Sequence, residues 1–168
     1  MCNILFIVLL LILIFTVIMF SDKENFKLNS KKPKIFLITQ FYLGKSEKRS
    51  KELKDTFEHN LKNPLIDKIY LFIEKDYDYL EKFKSNKKLK IIKTNGIRLS
   101  FRHAFDYCNN LYKKKRKDII FMVANSDMYF DKTLKKLYDY DFNKKILALS
   151  RINIVKDKNG KEKWEYGA

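Results

Sequence analysis

From Ile119 to Ala124 the chain runs through apolar residues without a break, then stops at three small polar ones, Asn125, Ser126 and Asp127. A run of that kind suits one strand buried on both faces, as the strands of parallel sheets are. In open α/β sheets, ligands bind in the crevice beyond the carboxyl ends of the strands. A carboxylate with two hydrogen-bonding neighbours at such an end is therefore a site candidate by position alone.

The remaining apolar runs supply partners for that strand. Residues 34–41 (KIFLITQF) predict a buried strand ending in Thr39 and Gln40, and residues 68–73 (KIYLFI) a second that ends at Glu74. Residues 89–93 predict a third, running into the turn Asn95-Gly96. Between the first two, Leu53, Phe57 and Leu61 recur at i, i+4 and i+8, which predicts an amphipathic helix over 47–61 with Ser46 as its cap and Asn63-Pro64 as its end. A short helix fits 77–83. A longer one fits 99–112, with Phe101, Phe105, Cys108 and Tyr112 on one stripe widened by Ala104 and Leu111. After the motif, Asp131 can cap a two-turn helix over 132–138, and 145–149 reads as a strand. Residues 153–155 and 162–166 flank Asn159-Gly160 as a hairpin. This order predicts an α/β fold: a mainly parallel sheet flanked by helices and joined by right-handed crossovers, with the motif strand central and the C-terminal hairpin making the sheet mixed.

Composition limits the alternatives. A chain of 168 residues with 46% hydrophobic content suits one domain with a real core, and Gly 4 and Pro 2 argue against long linkers. Residues 4–20 form an apolar run interrupted only by Thr16, near the lower limit for a membrane-spanning helix. No basic residue precedes it and no small-residue cleavage site follows, so it reads as an uncleaved single-pass anchor over 1–20. Residues 21–33 read as a polar stem, and 34–168 as the globular domain. Five lysines follow the anchor before residue 35, which favours a cytoplasmic domain by the positive-inside tendency, while a lumenal one stays open. The formal charge of +16 invites a nucleic-acid reading. Lysines are spread along the chain among acids, however, and arginines are only a few. The one dense cluster, at 113–117, falls between a predicted helix and strand, where a solvated connection is the plainer reading. Cys2 and Cys108 fit neither a disulfide framework nor a metal pattern.

The stretch Val123-Ala124-Asn125-Ser126-Asp127 resembles the D-x-D-like strand end of nucleotide-sugar-dependent glycosyltransferases of the GT-A type, with Asn125 in place of the first acid. Upstream, Asn95-Gly96-Ile97-Arg98, with Ala104 six positions after Arg98, is similar to the glycine turn and helix that precede that strand in the family. The resemblance covers roughly residues 34–151. It implies a GT-A, Rossmann-like domain that binds a nucleoside-diphosphate sugar, with Asp127 holding Mg²⁺ or Mn²⁺ on the diphosphate. It further implies that Thr39, Gln40, Glu74, Asn125 and Ser126 reach the nucleotide or sugar, and that Arg98 or Arg102 neutralises phosphate oxygens. One carboxylate can suffice for Mg²⁺, which keeps waters and shares substrate phosphates. The family's acceptor stretch follows its motif, and this sequence ends at Gly167-Ala168. The resemblance therefore implies either a membrane-anchored glycosyltransferase of which this is the donor-binding half, acting on a glycan, lipid or protein acceptor, or a shortened relative that binds nucleotide-sugar without turnover.

Plainer roles compete at each position. Asp127 can be a turn residue, Asp131 serves as a helix cap, Glu74 sits among loop charges beside Lys75 and Asp76, and Arg98 and Arg102 can be solvated surface cations. His59 and His103 have no second ligand at metal spacing. Trp164 in the hairpin can stack on a sugar or cover a core.

Overall fold

The computed structural model describes residues 32–115, 118–142, 145–148, 152–156, 159 and 161–166. The expected anchor at 4–20, the stem up to residue 31, and Cys2 lie outside them. Among the described residues no helix is long and apolar enough to cross a membrane. The chain divides into two compact units, Met1–Asp131 and Lys132–Ala168.

The first unit is an α/β fold. Strands β1 (Lys34–Phe41), β2 (Lys68–Ile73), β3 (Leu89–Lys93) and β4 (Ile119–Val123) form one all-parallel sheet in the order β3-β2-β1-β4. Helix α1 (Glu47–Lys62) joins β1 to β2, a 3-10 helix (Asp78–Phe83) joins β2 to β3, and helix α2 (Phe101–Lys115) joins β3 to β4. Leaving β1 in one direction and returning to its other edge puts the two right-handed crossovers on opposite faces. The side chains follow this alternation. Phe41 makes ring contacts with Phe57 of α1, with Tyr77 just before the 3-10 helix and with Tyr79 within it. On the opposite face Phe36, Ile38, Tyr70 and Phe72 share a cluster with Ala104, Cys108 and Leu111 of α2.

The sheet corrects the expected position of the motif strand. β4 is an edge strand paired to β1 alone, and β1 holds the centre. Every residue of β1 after Lys34 is buried, whereas β4 fully buries only Ile120 and Met122. Uniform apolarity in β4 reflects partial cover on both faces, since Ile119, Phe121 and Val123 pack against the α2 cluster.

Helix α1 buries Leu53, Phe57 and Leu61 as its spacing predicts, and Ser46 Oγ accepts from Arg49 N at 3.2 Å as the cap. Helix α2 is rotated from the expected stripe. Ala104, Cys108 and Leu111 face the sheet, while Phe101, Phe105 and Tyr112 are exposed. The sheet face supplies the bulk here through Phe36, Tyr70 and Phe72, so close approach of the helix selects its smaller residues. Cys108 is a buried free thiol, pushed up to about 11 by burial.

In the second unit a 3-10 helix (Lys132–Asp139) follows directly after Asp131. Strands β5 (Ile152–Lys156) and β6 (Glu162–Tyr166) pair antiparallel as the hairpin signal predicts. They form a separate two-stranded sheet, so the expected mixed sheet is not formed. The strand expected at 145–149 is not present at 145–148, where Ile146 and Leu147 are exposed and the burial that favours an apolar strand is missing. Leu149 lies outside the described residues.

The rotated face of α2 has an energetic consequence. Ala104→Leu would force three extra carbons against Phe36 and Tyr70, and should destabilise the protein by roughly 1–3 kcal/mol in urea unfolding. Phe105→Ser, on the exposed stripe, should stay within about 0.5 kcal/mol of the parent.

Candidate functional site

Ile38 pairs with the last residue of β4, Val123, so β1 runs on past β4 through Thr39, Gln40 and Phe41. The chain after β4 leaves the sheet once Ala124 N has donated to Ile38 O at 3.1 Å. Beside the overhanging end of β1 a cleft of about 420 Å³ opens. It lies where the strand order reverses, the topological switch point at which open α/β sheets bind ligands. Its walls are Gln40 and Tyr42 from β1 onward, Arg49 from the first turn of α1, residues 98–101 and Ala104 leading into α2, and residues 123–127 after β4.

Buried amides fix these walls. Gln40 is 8% exposed and uses its amide both ways: Nε2 donates to Glu74 Oε1 at 2.6 Å, and Oε1 accepts from Leu99 N at 3.1 Å. One side chain thus ties the end of β2 to the segment that begins α2. The turn between them needs positive φ at Asn95 (52°) and Gly96 (84°), and Gly96 N donates to Glu74 O at 2.9 Å. On the opposite side, Asn60 Nδ2 donates to Met128 O at 2.9 Å while Asn60 Oδ1 accepts from Phe130 N at 3.0 Å. Asn63 Nδ2 donates to Phe130 O at 2.7 Å. The last turn of α1 therefore holds the backbone that follows Asp127, and Met128 N closes a turn onto Asn125 O at 3.2 Å.

The charge of the cleft is set by arginine and a helix end. Arg49 Nη2 donates to Asp127 Oδ2 at 2.8 Å, and Nη1 lies 2.7 Å from Glu52 Oε2. Asp127, Glu52 and Tyr42 hold the Arg49 guanidinium above its ordinary value, so it stays charged. Gly44 lets it lie there, because a Cβ at that position would come 2.5 Å from Arg49 Cγ. The Arg49 and Asp127 side chains are 35% and 24% exposed, so the pair contributes on the order of 1 kcal/mol or less and can yield to a stronger anion. Arg98 is exposed and stands over the Tyr42 ring at 5.8 Å. The N-terminus of α2 adds partial positive charge. Ser100 Oγ accepts from His103 N at 3.2 Å, and the first turn carries no acid.

Of the residues proposed from sequence, Gln40, Arg98, Asn125, Ser126 and Asp127 line this one cleft. Thr39 turns to the α1 face and lines a small separate cavity beside Phe57 and Asn60, where Oγ1 has no hydrogen-bond partner among the described residues. Glu74 stands behind Gln40 as its acceptor, and Arg102 is exposed off the cleft wall. His59 packs against the Tyr129 ring in a tilted arrangement with ring centroids 4.4 Å apart. Arg49, Tyr42 and Asn60 were missed by the sequence reading. A usable signal existed for Arg49: the first turn of the helix after β1 must face the carboxyl end of the sheet, and Arg49 is three residues past the Ser46 cap.

A divalent cation on Asp127 would need an open carboxylate oxygen. Oδ2 is engaged by Arg49, and Oδ1 is buried without a hydrogen-bond partner among the described residues. Asn125 adds no charge. With Oδ2 held by Arg49 and Oδ1 buried, the one carboxylate at this strand end offers no open oxygen to Mg²⁺ or Mn²⁺ as placed. Compared with known proteins, the chain matches no family model, no curated protein and no solved structure.

Removing the Asn60 amide tests how the Asp127 loop is held. Asn60→Ala leaves the Phe130 N–H and Met128 carbonyl unpaired and should cost roughly 2–4 kcal/mol in denaturant unfolding. Hydrogen exchange at the Phe130 amide should accelerate in the same variant.

Proposed function

We propose that the cleft binds the diphosphate of a nucleoside-diphosphate sugar, and that the chain is a membrane-anchored glycosyltransferase or its donor-binding portion, tethered through residues 4–20. The observation that carries this reading is the convergence of Arg49, Arg98, the α2 N-terminus and Asn125-Ser126-Asp127 on one cleft at the carboxyl end of a parallel sheet. A diphosphate presents several oxygens along a short line. Two guanidinium forks and a helix end offer donors along one cleft. When the bond from the sugar carbon to the diphosphate breaks, negative charge grows on the departing oxygens, and fixed cationic donors stabilise that charge. Asn125 and Ser126, on the far wall, offer an amide and a hydroxyl to sugar or ribose hydroxyls.

One observation favours a second reading, a protein that binds the donor without transferring its sugar. Asp127 is the sole acid lining the cleft among the described residues, and it is engaged by Arg49. A base to activate an acceptor hydroxyl would have to come from elsewhere. Release of free sugar from the bound donor separates the two readings, since only the enzyme produces it.

Calorimetric titration of the full chain with nucleoside diphosphates and their sugar conjugates, with and without Mn²⁺, tests the shared premise. Saturable binding is expected, and Arg98→Ala should weaken it about tenfold, equivalent to about 1.4 kcal/mol. Failure to bind any of these ligands in either medium would remove both readings.

A further inference from the structure

The cation that meets Asp127 in this fold is a side chain. We propose that Arg49 takes the place of a divalent metal in the cleft: Asp127 is a positioning residue that orients the guanidinium, and a diphosphate is bound without any metal ion. The proposal rests on the diphosphate-binding reading of the same cleft and fixes how its charge is met.

Three observations converge on Arg49. Its Nη2 donates to Asp127 Oδ2 at 2.8 Å, occupying the carboxylate oxygen that a metal would have to reach. Its stem lies against Gly44, where a Cβ would come within 2.6 Å of both Arg49 Cβ and Cγ, so the local backbone is shaped around this side chain. Ser46 accepts from Arg49 N, which places the residue in the first turn of α1 facing the cleft. A guanidinium has five N–H donors, and its partners here are Asp127, Glu52 and Tyr42, so donors remain for ligand oxygens. Asp127 sits opposite on the strand-end loop, whose backbone is clamped by Asn60 and Asn63, and there it sets the direction of the fork. A metal would supply compact charge. Arginine supplies permanent charge with bidentate geometry toward phosphate oxygens.

Metal dependence separates the two arrangements. The probe is inorganic pyrophosphate, titrated calorimetrically into the full chain in EDTA and again with excess Mg²⁺ or Mn²⁺. Saturable binding in EDTA is expected, with affinity reduced on adding metal because the ion neutralises the ligand before the arginines can. Arg49→Gln should weaken binding about tenfold or more in EDTA, and Arg49→Lys should recover only part of it because the fork is lost. Asp127→Asn, which keeps an acceptor oxygen but removes the charge that orients the guanidinium, should shift pyrophosphate affinity in EDTA without making binding depend on metal. Circular dichroism of each variant checks that the fold is retained, and the wild-type comparison of EDTA with metal needs no variant. Binding only in the presence of metal, abolished by Asp127→Asn and indifferent to Arg49→Gln, would overturn the proposal while leaving the diphosphate site in place. No binding in either medium would overturn both.

Discussion

The fold depends on the hydrogen-bonded position of β1 between β2 and β4. A strand paired on both edges and covered on both faces must be apolar along almost its whole length, and β1 is. Its buried end then has to solve a local problem, since β4 stops at the level of Ile38 and β1 does not. Thr39 and Gln40 are buried where one edge of the ladder is gone. Gln40 meets its hydrogen-bonding needs through Glu74 and the Leu99 N–H, and in doing so sets where α2 begins. The cleft is the space left by the mismatch in strand length.

Its walls hold their geometry through amides and backbone rather than through ion pairs. Asn60 and Asn63 are nearly fully buried, and an unsatisfied buried amide costs more than an exposed ion pair contributes, so these contacts are retained when the surface charges rearrange. Arg49 and Asp127, by contrast, are partly exposed. Rigid backbone with exchangeable charge is the combination the proposed binding site needs, a fixed frame in which the guanidinium could trade one acceptor for another.

Much of this was legible in the sequence because it follows from local periodicity. Strands at 34–41, 68–73 and 89–93, the α1 face of Leu53, Phe57 and Leu61, the Asn95-Gly96 turn and the β5–β6 hairpin all lie where residue pattern places them. What failed depends on partners distant in the chain. The strand order put β4 at an edge, and no property of Ile119–Val123 by itself distinguishes an edge strand covered on both faces from a central one. On α2 two apolar stripes lie side by side, and the choice between them is made by the aromatic bulk of Phe36, Tyr70 and Phe72 on other strands. In the cleft, Asn125, Ser126 and Asp127 were legible as a strand end. Arg49 was not singled out, because a basic residue on the polar side of an amphipathic helix looks like any other until the helix is set against the sheet.

The choice of cation in the cleft carries its own information. Only five of the chain's 36 basic residues are arginine, yet two of the five, Arg49 and Arg98, line this one cleft. Among the described lysines some form simple surface ion pairs, such as Lys93 with Asp76 and Lys145 with Asp141, and Lys88 donates to the carbonyls of Asn60, Leu61 and Asn63 at the end of α1. A general electrostatic attraction for anions could be met by lysine at either position. Planar, fixed donors matter where a ligand must be held in one orientation, and both arginines here are themselves oriented, Arg49 by Asp127 and Arg98 by the Tyr42 ring. On the proposed reading, charge spread over the whole surface draws anions toward the protein, and the two guanidinium groups at the end of β1 decide where and how one of them stops.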